Sequence, residues 1–441
     1  MSNKASQKGI EQDSTSELKP TLRFPEFRDA GDWERRKLSD FLFEAKQRNR
    51  QLKYGPSEVL SVSGEYGCVN QIKLLGRSYA GVSVKDYHVV ETGDIVYTKS
   101  PLKRNPYGII KANKGKPGIV STLYAVYRTT GICHPDYLDH YFSRDYSLNR
   151  YLQPIVRKGA KNDMKVNNAA VLSGEIWAPK LKEQQKITDC LTSLDELLAA
   201  DGQKLAALRT YKQGLMRQVF PREGETIPRL RFPEFQDEPE WSAQNLGAVA
   251  SLINERAGNN NCIPMSITSG VGLVSQQEKF GETIAGNQYK NYLVLQKNDF
   301  AYNKSATKEF PQGFIAKYSG DEPAAVPNSI FTCFRAHKDE IVPDFLNYLF
   351  LGNLHGKWLR KYIEVGARAH GSLSVEDEHL MSLPVPLPSG ESSLAEQQKI
   401  AQCLTSLDEL IAAQAKQIDS LKSHKKGLMQ KLFPFSEGFE A

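Results

Sequence analysis

Apolar residues recur along two stretches of this chain at steps of three and four or their multiples. In the first stretch they are Ile187, Leu191, Leu194, Leu198, Leu205, Leu208, Leu215 and Val219. In the second, Ile400, Leu404, Leu407, Ile411, Ile418, Leu421, Leu428 and Leu432 repeat the register, each 213 positions later. Such spacing draws one apolar seam along a helix, and more than four heptads of it predict two helices of about 36 residues, roughly 50–55 Å long. A seam of that length needs a partner seam, and the economical partner is the other helix of the same chain, running antiparallel. Each seam is interrupted once, at Asp201 and at Gln414. Either Asp201-Gly202 breaks the first helix, or the two polar residues form a layer that fixes register at some expense of stability.

The duplication extends beyond the helices. Leu22-Arg23-Phe24-Pro25-Glu26-Phe27 returns as Leu230-Arg231-Phe232-Pro233-Glu234-Phe235, each with a tryptophan nearby, Trp33 or Trp241. Glu183–Leu198 returns as Glu396–Ile411 with 13 of 16 positions identical. Between these frames lie two divergent blocks that still share a skeleton. Leu60–Ser63 aligns with Met265–Thr268, Asp94–Tyr97 with Asp299–Tyr302, and Pro135–Leu138, heading a short helix, with Pro343–Leu346. The expected fold is α/β (α+β): two modules in tandem, joined by two long antiparallel coiled-coil helices with pseudo-two-fold, circular symmetry. The divisions are a disordered tail over 1–20, modules over 21–182 and 221–395, a central helix over 183–220 and a C-terminal helix over 396–435. The first opening segment has no helix before it and the second helix has no segment after it. A closed ring cut open once has this pattern, and it places the N-terminal module beside the C-terminal helix.

Composition changes this picture little. The chain has 441 residues, 40% hydrophobic and 24% charged, with a net charge of +6, which allows a polyanionic partner without demanding one. Its six cysteines show no C-x-x-C spacing, as expected of reduced thiols without a zinc site or disulfide framework. The first 20 residues lack the apolar run of a signal peptide, and no segment is long enough to span a membrane.

Catalytic signatures are missing. Gly108 stands too far from Gly115-Lys116 for a phosphate-binding loop, and Pro117 occupies the place of its metal-binding hydroxyl. Asn105-Pro106-Tyr107 lacks the second proline of the adenine-methyltransferase tetrapeptide and reads as a turn. The eight histidines form no metal-ligand spacing.

Local charge is more informative. After the Asp94–Thr98 strand, Lys99, Ser100, Lys103, Arg104, Asn105, Tyr107, Lys111, Lys114 and Lys116 form a basic, donor-rich stretch with no acidic residue. The second module carries Asn303, Lys304, Ser305 and Lys308, with Gln312 beyond, in the same place. A further stretch, Arg157, Lys158, Lys161 and Asn162, is matched by Arg368 and His370. Solvated surface loops would also be basic, but recurrence at equivalent places in both modules favours nucleic acid, with phosphates and base edges as the partners.

Taken together, the paired L-R-F-P-E-F…W openings, the paired E-Q-Q-K-I…L-D-E-L helices and the G-L-M exits at 214–216 and 427–429 resemble the specificity subunits of type I restriction-modification systems. The resemblance covers essentially the whole chain after the tail. It implies a non-catalytic, cytoplasmic bacterial subunit with two target-recognition domains, each reading one half of an asymmetric bipartite site in double-stranded DNA. It further implies that the helices act as a ruler and that the shared frame docks two modification (methyltransferase) subunits and, through them, restriction (translocase/endonuclease) subunits. S-adenosylmethionine, ATP and Mg would belong to those partners, with no cofactor in this chain. An assembly scaffold with degenerate recognition domains is the alternative. A fused methyltransferase is disfavoured by the missing motifs.

Overall fold

The computed structural model describes residues 19–158, 164–268, 270–363 and 373–434. They divide into two compact units, one ending at Asp201 and resuming at Gln417, the other running from Gly202 to Lys416. The boundaries fall inside the two long helices, Leu181–Val219 and Ser393–Leu432. Each unit therefore holds one half of each helix.

The first helix is unbroken through Asp201-Gly202, so these residues do not end it. Glycine costs only about 1 kcal/mol in a helix interior, less than the flanking turns supply. Asp201 is buried, and its Oδ2 accepts from Gln417 Nε2 at 3.0 Å. Within the first unit the two helix halves run antiparallel: Asp195 pairs with Lys425, and Asp201 with Gln417. The second unit has the corresponding pair, Lys212 Nζ to Asp408 Oδ1 at 2.6 Å.

The seam is not uniformly buried. Ile187 and Leu191 belong to the core of the first unit, and Leu215, Val219, Ile400 and Leu404 to that of the second. Ile418 is also buried, whereas Leu194, Leu198, Leu205, Leu208, Leu407, Ile411 and Leu421 are half-buried. Two helices alone cannot cover a leucine on all sides. The helix ends are enclosed because the globular part of each unit packs over them.

The globular parts share one topology. In the first, strands Leu42–Glu44, Tyr124–Thr129, Ile95–Thr98 and Ile109–Ala112 form a four-stranded antiparallel sheet in that order. In the second, Ala250–Leu252, Phe331–Ala336, Phe300–Asn303 and Phe314–Lys317 do the same. Both central strands are buried throughout, which their continuous apolar and aromatic runs require. Helices Pro135–Phe142 and Pro343–Leu351 start at the expected prolines and lie on these sheets, adding Tyr137 and Phe345 to the cores.

The repeated motifs are the fastenings of each unit. Arg23 Nε and Nη2 donate to Glu183 Oε1 and Oε2 at 2.8 and 2.7 Å, and Trp33 Nε1 donates to the same Oε1 at 3.2 Å. Arg231, Trp241 and Glu396 reproduce this at 2.9, 2.7 and 3.3 Å. The next residue, Gln184, accepts from His134 N, and Gln397 accepts from Val342 N, tying each helix start to the segment before a short helix. The ring closure expected of the cut repeat is present inside the first unit, where Leu22 N donates to Lys431 O at 3.0 Å and Phe433 packs on Trp33 and Tyr137. Leu230 N makes the matching bond to Gln218 O at 2.9 Å in the second.

Candidate nucleic-acid interface

The basic stretch after Thr98 is not one loop. Residues 99–108 form a loop, Ile109–Ala112 is a sheet strand, and a second loop follows from Asn113. The first loop is held at both ends. Lys99 N bonds Leu123 O, Tyr97 OH donates to Tyr107 O at 2.8 Å, and Gly108 N closes the expected Asn105 turn at 3.0 Å. Gly108 has φ +90°, and a Cβ there would overlap the Thr98 carbonyl oxygen. The second unit repeats the arrangement with Tyr302 OH to Gln312 O at 2.8 Å and Gly313 at φ +83°. The strand that carries each loop is also locked from behind. Arg128 grips both oxygens of buried Asp94 at 2.9 and 3.0 Å, and Arg335 grips Asp299 at 2.7 Å twice. These bonds raise both guanidinium pKa values.

Tertiary contacts sort the candidate residues. Lys103 and Arg104 are exposed at the loop apex, and the Arg104 carbonyl accepts from Asn149 Nδ2 at 3.1 Å, so the backbone beneath them is fixed. Asn105 is buried and donates to Asp145 at 2.9 Å, while Tyr107 packs against the core. These two position the loop. Lys99 and Ser100 are half-buried, and burial lowers the Lys99 pKa. Lys111, expected in the DNA-facing stretch, is a buried strand residue donating to Ser143 Oγ at 2.6 Å. Lys114 is engaged with Asp139 at 3.1 Å. Burial alone would raise the Asp139 carboxyl, but Lys111 and Lys114 hold it below the ordinary range. Lys116 is exposed.

In the second unit Lys308 is exposed, Lys304 pairs with Asp377 at 3.2 Å, and Asn303 is buried with its Oδ1 accepting from Ser305 N at 3.1 Å. Ser305 and Gln312 are half-buried. Arg157 is exposed and begins a short strand with Lys158 that pairs with Met164–Lys165. Lys161, Asn162, Arg368 and His370 lie outside the described residues.

Sequence reasoning missed two clefts in the first unit. One, of about 790 Å³, brings Lys111, Lys114 and Arg144 together with Lys422, Lys425 and Lys426 of the second long helix. The other, of about 830 Å³, is lined by Lys73, Asn113 and Lys116 among others. The run Lys422-Ser423-His424-Lys425-Lys426 was the available signal, but on a helix face it reads as ordinary solvation.

A buried histidine supports the loop base of the second unit. His355 lies 6.2 Å from the Tyr302 ring and contacts the Gly313 carbonyl at 3.3 Å. Burial lowers its pKa to about 4, and burial likewise takes His88 in the first unit to about 4. The unfolded chain takes up these protons near pH 6.5, the folded units only near pH 4. Stability is therefore full above about 6.5 and falls as pH drops from 6.5 towards 4. We expect the urea midpoint of the full chain to decline over that window and His355→Gln to remove part of the decline. A midpoint unchanged down to pH 4.5 would contradict this.

Residues 254–423 match the family described as type I restriction modification DNA specificity domain. The chain is 23% identical over 427 residues to the putative type I restriction enzyme MjaX specificity subunit of Methanocaldococcus jannaschii, covering 91% of this chain and 92% of that one. It is 25% identical over 275 residues to the MjaVIII specificity subunit of the same organism, covering 58% and 61%. Among solved structures, the type I restriction-modification S subunit from M. genitalium superposes with a TM-score of 0.54 at 13% identity, over 95% of this chain and all of that one.

Proposed function

From the similarity of this chain to type I restriction-modification specificity subunits, we propose that it is such a subunit and that its two units read the two halves of an asymmetric bipartite site in double-stranded DNA. The observation that carries this reading is that both units hold the same loop on the same locked strand, while the loop sequences differ. Identical anchors with different apices are what two independent half-site readers need. Exposed Lys103 and Arg104 face DNA in the first unit and Lys308 in the second, with Lys116 and Arg157 on phosphates. The chain itself is non-catalytic and cytoplasmic. Its long helices set the unread spacer and, with the Arg–Glu–Trp frames, dock two modification subunits and through them the restriction subunits, which bring S-adenosylmethionine, ATP and Mg.

The test is binding by the full chain, with its modification subunit, to its methylated motif. Arg104→Ala is expected to cost about 1–3 kcal/mol at one half-site, whereas Lys103→Ala weakens all sequences alike and lowers the salt slope by about one. Wild-type binding by the double variant across a salt titration would remove this loop from the interface and favour a scaffold.

A further inference from the structure

We propose that the β-hairpin Leu60–Ser63/Gly67–Asn70 is a DNA-reading ribbon, with Glu65 and Tyr66 at its tip meeting base edges and the clefts on its two sides taking phosphates. The inference rests on the DNA-binding reading above and adds a second reading element to the loop described there.

The hairpin stands between the two clefts, whose linings set lysines beside Glu65, Asp139, Asp145 and Asp195 in one and beside Glu58 in the other. Gly64–Cys68 line one, and Leu60, Tyr66 and Cys68–Asn70 line the other. Tyr66 therefore belongs to the ridge that separates them. Tyr66 is 60% exposed, so its ring is accessible at the tip. On one flank stand Lys422 and Lys426, on the other Lys73 and Lys116, and among the described residues none of these four is in an ion pair. The tip itself is ordered, since the backbone N–H groups of Glu65 and Tyr66 both donate to Ser63 Oγ at 3.2 Å.

A two-stranded ribbon fits the major groove, which is about 12 Å wide. In that position a carboxylate at the tip accepts from a cytosine amino group, and an aromatic or aliphatic side chain covers a thymine methyl. Lysines on both flanks then reach the phosphates of the two strands, contributing affinity without sequence information.

The second unit supplies independent support. Strands Ile263–Thr268 and Gly272–Ser275 form the same hairpin, with Thr268 opposite Gly272 as Ser63 is opposite Gly67. The short helix after each hairpin ends on a left-handed glycine, Gly76 at φ 76° or Gly281 at φ 77°. Gln71 accepts from Tyr79 N, and Gln276 from Ile284 N at 3.0 Å, so the following chain is tied back in the same way. Against this common frame the tips differ: Glu65-Tyr66 in one unit, Gly270-Val271 in the other, with Val271 73% exposed. A frame kept while the tip changes is the arrangement needed if each tip meets different bases.

The experiment is selection from a randomised duplex pool by the full chain purified with its modification subunit, followed by sequencing of the bound DNA. Wild type is expected to return a bipartite motif. Glu65→Gln/Tyr66→Ala should relax one or two adjacent positions of one half about tenfold and leave the other half intact. Val271→Asn, a separate exposed site, should alter only the other half. Selection of the wild-type motif with unchanged strictness by both variants would overturn the ribbon while leaving the DNA reading standing. Failure of wild type to select any motif would overturn both.

Discussion

Glu183→Ala is expected to destabilise the first unit by about 3–5 kcal/mol, the cost typical of breaking a buried ion pair from one side. The Glu183 side chain is 4% exposed and that of Arg23 9%. Removing the carboxylate leaves the enclosed guanidinium without its counter-charge and the Trp33 indole N–H without its acceptor. Arg23 also donates to the carbonyls of Ala30 and Gly31, bonds that hold the opening segment but do not neutralise its charge. The double variant Arg23→Met/Glu183→Leu should recover most of the loss, because it removes both charges together. Denaturant unfolding followed by Trp33 fluorescence measures both, and Glu396→Ala should act equivalently in the second unit through Arg231 and Trp241. A loss under 1 kcal/mol for Glu183→Ala would mean that the repeated E-Q-Q-K-I motif does not fasten the opening segment.

Gly108→Ala should be nearly as costly to stability and should act directly on the proposed DNA contact. A positive φ of this size costs an L-residue about 1–3 kcal/mol, and relieving the overlap with the Thr98 carbonyl requires moving the end of the strand itself. The Tyr97 OH to Tyr107 O bond lies across the same turn and would be lost with it. Lys103 and Arg104 would then hang on an unanchored loop. We expect affinity for one half-site to fall by at least tenfold, with the other half read normally, and Gly313→Ala to give the reciprocal result. Methylome sequencing of a host carrying each variant separates the two halves. Gly202→Ala is the useful comparison, because a Cβ there meets nothing within 4 Å and the helix already has ordinary geometry. It should leave recognition unchanged.

The amino-acid sequence by itself determined the two long helices, the duplication and the shared α/β skeleton of the units. These are written in local patterns: a seven-residue apolar period specifies a helix wherever it occurs, and a repeated segment specifies a repeated structure. The same patterns placed the Asn105 turn and the proline-headed helices. They could not tell whether Asp201-Gly202 ends a helix, because the answer depended on the flanking turns and on Gln417, more than 200 positions away. Nor could they rank the cations. Lys103 and Lys111 look equivalent in the sequence, yet one is exposed on a pinned apex and the other is buried beside Ser143 and Asp139. Whether a lysine is available to a phosphate is decided by the carboxylates and apolar surface the fold sets beside it, and those neighbours come from distant parts of the chain. For the same reason only the tertiary structure could bring Tyr66 and Lys426 to the wall of one cleft. Their separation of 360 positions carries no local signal, and side-chain burial and charge pairing are properties of the packed unit.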